Sequence, residues 1–79
     1  MRVLNLFLKH QLAHRTSKSD RRLLTRILSN DKARSALRDR IQEKYPETKA
    51  LGDGEFLKFL LDHSDEIIKL ITTILALFA

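Results

Sequence analysis

The sequence predicts an all-α fold: a small bundle of four or five helices with a long or kinked amphipathic C-terminal helix. Three observations carry this. Glycine occurs twice and proline once in 79 residues, which is too few breakers for a many-turned sheet but enough for helices with short links. Apolar residues recur at three- and four-residue spacing along most of the chain, the period of helices that bury one side. The closing stretch, Glu55 to Ala79, repeats one broad apolar seam over about three heptads.

A chain of this length is one domain, residues 1–79, with a thin core, because a domain this small buries only about 60% of its unfolded surface. It holds no cysteine, so disulfides and thiolate metal sites are excluded and stability rests on helix packing or association. Hydrophobic content of 43% is ordinary for a globular chain and argues against wholesale disorder.

Residues 2–45 read as three basic helices. In the first, 2–15, Leu4, Leu8 and Leu12 share one i, i+4 row and Val3 and Phe7 the next, opposite Arg2, Asn5 and Lys9. The link Thr16 to Asp20 offers Ser17 or Ser19 as a cap and Asp20 for the positive end of the helix that follows. That second helix, 20–29, carries the ridge Leu23, Leu24, Ile27 and Leu28, with Arg21, Arg22 and Arg26 on its other side. Ser29-Asn30-Asp31 predicts a break and a new cap, with one kinked helix over 20–45 as the alternative. The third helix sets Ala33, Leu37, Ile41 and Tyr45 in register, and Pro46 ends it, because a residue before proline disfavours helical dihedrals.

The linker is 46–54 and holds both glycines, with Asp53 as a candidate cap. In 55–79, Leu57, Leu60, Leu61, Ile67, Ile68, Ile71, Ile74, Leu75 and Phe78 lie on the seam, and Lys58, Asp62, Asp65, Glu66 and Lys69 lie off it, with Ala79 at the small outer positions. Ser64-Asp65-Glu66 is a good helix start and argues for two helices here. The unbroken phase of the seam argues for one, about 37 Å long at about 1.5 Å per residue. The balance favours a single helix bent near His63-Ser64.

Charge divides the chain. Net charge is +5, but residues 1–44 carry twelve Lys or Arg against four acids, a net of +8, and residues 45–79 carry three against six, a net of −3. A basic front half predicts an anionic partner or a merely solvated face. The candidate anion-binding residues are Arg15, Lys18, Arg21, Arg22, Arg26, Arg34 and Arg38. A short helix, a break and a second arginine-bearing helix also match a helix-turn-helix, with Arg34, Ser35, Arg38 and Gln42 reaching bases. Against it, the turn lacks the frequent glycine, and Asp31, Asp39 and Glu43 share the reading helix, where they repel phosphate.

Other groupings point to no chemistry. His10 and His14 have metal-compatible i, i+4 spacing without a carboxylate or cysteine beside them, so no metal is expected. His63 falls on the seam as a polar notch at a kink or contact. Gly52-Asp53-Gly54-Glu55 lacks the alternating ligands of a calcium loop. Asp62, Asp65 and Glu66 follow helical spacing with Lys69 as a solvated face does. With no phosphate loop and no nucleophile-base grouping, no enzyme, cofactor or small-molecule substrate is expected.

From Leu70 to Ala79 there is no charged side chain, a composition that suits burial against protein. Residues 67–79 fall short of the roughly 20 that span a bilayer, and the apolar run Val3 to Leu8 is too short for a signal-peptide core. The sequence therefore predicts a cytoplasmic protein, or one within a soluble assembly. Its expected function is that of a non-enzymatic assembly or adaptor subunit, in the manner of a small structural component of a larger particle. Its C-terminal helix would associate with a protein partner or its own copies, and its basic half would face an anionic surface. The alternative is a nucleic-acid-binding regulator that dimerises through the same helix. Peripheral membrane contact is less favoured, because an interfacial helix carries a lysine-rich polar side that this one lacks.

Overall fold

The computed structural model describes residues 2–78. Within them the chain is all-helical: α1 Arg2–His14, α2 Lys18–Leu28, α3 Asp31–Lys44, a short 3₁₀ turn Pro46–Ala50, α4 Asp53–Asp62 and α5 Ser64–Leu77. Ala79, expected on the outer side of the seam, lies outside the described residues.

Local chemistry sets the boundaries. The Ser17 hydroxyl accepts from the Asp20 N–H at 3.4 Å and opens α2, while the Asn30 side chain accepts from the Ala33 N–H at 3.0 Å and opens α3. Each satisfies one of the amides that a helix start leaves without a partner. Pro46 ends α3 and begins the 3₁₀ turn, where the missing proline N–H costs nothing. The buried Thr48 hydroxyl donates to the Tyr45 carbonyl at 2.7 Å and ties the turn to the end of α3. The expected cap Asp53 instead occupies the first position of α4, behind Gly52.

The single bent helix expected for 55–79 is two helices. His63 leaves helical geometry at φ −116°, ψ 27°, closes α4 through its N–H to the Phe59 carbonyl at 3.1 Å, and opens α5 by accepting from the Ile67 N–H at 3.0 Å. Divided at His63, α4 lies along α1 while α5 lies against α2 and α3. A single non-helical residue disturbs the phase so little that Leu60 in α4 and Ile67 and Ile71 in α5 still reach the same core.

Two contacts place the ends. Arg2, Val3 and Leu6 share a cleft with Asp53, Gly54 and Leu57, and Arg15, just past α1, reaches Asp65, just past α4, at 2.9 Å. The two helices therefore run side by side in the same direction. At the far end of α3 the Tyr45 hydroxyl donates to the Glu66 carboxylate at the start of α5. The core draws Leu4, Phe7 and Leu8 from α1, Leu24 and Ile27 from α2, Ala33, Leu37 and Ile41 from α3, and Leu60 from α4. Ile67, Ile68, Leu70, Ile71, Ile74 and Leu75 of α5 complete it. Each buried Leu, Ile or Phe side chain stabilises the fold by about 1.5–3 kcal/mol, and α5 supplies six of them, so α5 is the element on which the bundle is assembled.

Candidate functional site

The structure divides the seven predicted anion-binding residues by what they already bind. Arg15 donates to Asp65 at 2.9 Å, Asp20 at 3.1 Å and the Gln11 side chain at 2.7 Å. The Asp65 bond above all raises its pKa further. It is a clasp joining α1, α2 and α5. Arg21 donates to the carbonyls of Leu12 and, at 3.2 Å, of Arg15, and so satisfies the end of α1. Arg34 is buried and donates to the Ile27 carbonyl at 3.2 Å, to the Leu28 carbonyl and to Asp31. It is the cap that lets α2 end inside the bundle.

Burial takes Arg34 out of the base-reading set expected of α3. Its guanidinium points at α2 and cannot face a groove, and Leu37 and Ile41 on the same helix are core. What α3 exposes is of mixed sign: Asp31, Lys32, Asp39, Arg40, Glu43 and Lys44.

Lys18, Arg22 and Arg26 remain. They form one i, i+4, i+8 row on the outside of α2, all exposed, and none lies within ion-pair distance of a carboxylate among the described residues. Arg21 and Thr25 complete a shallow open depression with them. Rows at this spacing stand about 6 Å apart, inside the 8–10 Å over which charges reinforce one another at ordinary salt. Arg38 lies on α3, away from this row, with the Asp39 carboxylate at 3.7 Å.

The nine seam residues divide as well. Leu60, Ile67, Ile68, Ile71, Ile74 and Leu75 are buried in the chain's own core and are not open to a partner, and Leu57 is half-buried. Leu61 and Phe78, together with Leu77 at 73% exposure, keep apolar surface free. The sequence signal for association was in large part the signal of an internal core.

Comparison of the chain with protein-family models, with curated proteins and with solved structures finds no match in any of the three. The surface itself must carry the functional reading.

The histidines have structural surroundings. His10 and His14 are exposed with their rings 4.3 Å apart, and no group of three metal-ligating side chains occurs among the described residues. His63 stacks on Phe59 at 4.1 Å and bonds the Phe59 carbonyl through Nδ1 at 2.9 Å. Tyr45 meets Phe59 edge-on at 5.0 Å. This aromatic corner fixes the turn between α4 and α5. The Tyr45 hydroxyl lowers the pKa of Glu66, helped by His63, Lys44 and Lys69, and the same bond raises the pKa of Tyr45. No helix among the described residues is long and apolar enough to cross a membrane.

Proposed function

We propose that this chain is a non-enzymatic helical assembly or adaptor subunit that docks an acidic protein surface through the outside of α2. The carrying observation is the division of the cations. Arg15, Arg21 and Arg34 are bound to their own fold, and Lys18, Arg22 and Arg26 are left as an exposed row without carboxylate partners. The apolar end of α5, Leu77 and Phe78, supplies a second contact of the kind that interface centres use.

An acidic protein is favoured over nucleic acid because the exposed side of α3 alternates in sign. Duplex binding wants an extended cationic stripe. Association should be electrostatically steered and weakened by salt.

The test is fluorescence-monitored binding of poly-L-glutamate and of duplex DNA, each over a salt series. Poly-L-glutamate should bind with a steep salt dependence. The triple variant Lys18→Gln, Arg22→Gln, Arg26→Gln should lose most of that affinity with its melting temperature unchanged. Tighter binding to duplex DNA at every salt concentration, lost in Arg38→Ala, would favour the regulator instead. Equal binding by the triple variant would remove α2 as the docking face.

A further inference from the structure

A second cationic site lies away from α2. Arg2 of α1, Arg38 and Gln42 of α3, Thr48 and Lys49 of the 3₁₀ turn and Asp53 of α4 line a mostly polar cleft of about 290 Å³, and no residue of α2 lines it. We propose that this cleft binds a phosphate group, held by Arg38 with Arg2 and Lys49.

Arg38 is the centre of the argument. Arg15, Arg21 and Arg34 each donate at least two hydrogen bonds within the fold. Arg38 donates none among the described residues. Its nearest carboxylate, Asp39, stands at 3.7 Å, beyond hydrogen-bond length, and its Nε is buried without a partner. Nε is enclosed, but the side chain as a whole is 42% exposed, so the outer nitrogens on the wall of the cleft keep donors free for an oxyanion, and a guanidinium can hold two oxygens of a phosphate at once. Arg2 and Lys49 add two charges that no carboxylate pairs within 4 Å among the described residues.

Size and sign define the ligand. The volume is at the lower limit of small-molecule sites, about 300 Å³. It is large enough for a phosphate ion or the phosphate end of a small monoester. Asp53 in the cleft and Asp39 beside Arg38 oppose a bare dianion, leaving three cations against two carboxylates, but Asp53 can accept from a hydroxyl carried beside the phosphate. A hydroxylated phosphomonoester therefore satisfies every wall. Because α2 takes no part, this site stands or falls independently of the docking surface above.

The experiment is an NMR titration of the intact chain, following backbone amides and arginine Nε–H signals, with inorganic phosphate, with glycerol phosphate and with chloride at matched ionic strength. Both phosphates should shift the Arg38 Nε–H and the amides of Lys49 to Leu51 along saturating curves that chloride does not reproduce. Glycerol phosphate should bind more tightly. Arg38→Gln should weaken both by about tenfold or more, the size expected for charge-assisted bonds, and Arg22→Gln should change neither. Asp53→Asn should tighten inorganic phosphate. If Arg38→Gln lowers the melting temperature, Lys49→Gln reads the same cleft. Phosphate shifts no larger than those of chloride, or shifts lost in Arg22→Gln and kept in Arg38→Gln, would overturn the site. Inorganic phosphate binding as tightly as the ester would keep the phosphate site and overturn the part assigned to Asp53.

Discussion

Arg34 and Arg22 are indistinguishable as letters and opposite in consequence. Arg34 is buried against the last carbonyls of α2, so Arg34→Ala strands Ile27 and Leu28 acceptors and should cost about 2–3 kcal/mol in urea unfolding. Arg22→Gln, on the exposed row, should stay within about 0.5 kcal/mol of the parent. Equal costs would mean that Arg34 is not the cap. Tyr45 and Glu66 give a pH signature. The folded pKa of Glu66 is lowered, chiefly by the Tyr45 hydroxyl. Its contribution is therefore present above the unfolded carboxylate pKa and lost as pH falls through the folded value. The Tyr45 pKa is raised, so its contribution is present below the unfolded phenol pKa and lost as pH rises through the folded one. Tyr45→Phe should thus differ from the parent most at neutral pH and converge with it in acid, as stability curves across pH will show. None of this was legible in the sequence, because the bond spans Tyr45 to Glu66 and a phenol beside a proline carries no mark of its partner. Arg2 and Lys49 were missed for the same reason, since only the fold brings residues 2, 38 and 49 to one cleft.

Among the elements, the helices and their caps were readable, because Ser17, Asn30 and Pro46 act locally and periodicity marks each buried side. At His63 the local signals conflicted, because Ser64-Asp65-Glu66 marked the helix start that the structure shows while the seam stays in phase on both sides of it. The same ambiguity made the seam look like a surface: periodicity shows that a helix side is covered but not by what. Ile71 is fully buried in α5, so Ile71→Asp should unfold the chain, a loss above about 4 kcal/mol, visible as collapse of the helical circular dichroism signal. A folded variant of unchanged mass would show that α5 is not the centre of the core. In α4, a methyl group added at Gly54 meets nothing within 4 Å and no glycine has positive φ. Gly54→Ala should therefore raise stability by about 0.4–1 kcal/mol, measured as an increased melting temperature.

For the whole molecule, the sequence shows how charge divides along the chain, and the fold shows which cations are already bound within it. The basic front half is real, yet part of it is internal wiring, and the free remainder gathers on α2 and around the Arg38 cleft. Because α5 spends its apolar side on the chain's own core, the isolated chain should scatter light as a single 9.2 kDa species at high salt, with association left to its charged surfaces. The most direct test of the α2 docking surface is an amide-resolved NMR titration of the intact chain with poly-L-glutamate at low salt. The predicted result is a set of shifts concentrated on residues 18–26 that vanishes on addition of about 0.5 M salt, where charges are screened within a few ångströms. Shifts centred on 70–78, or on the exposed side of α3, would contradict it.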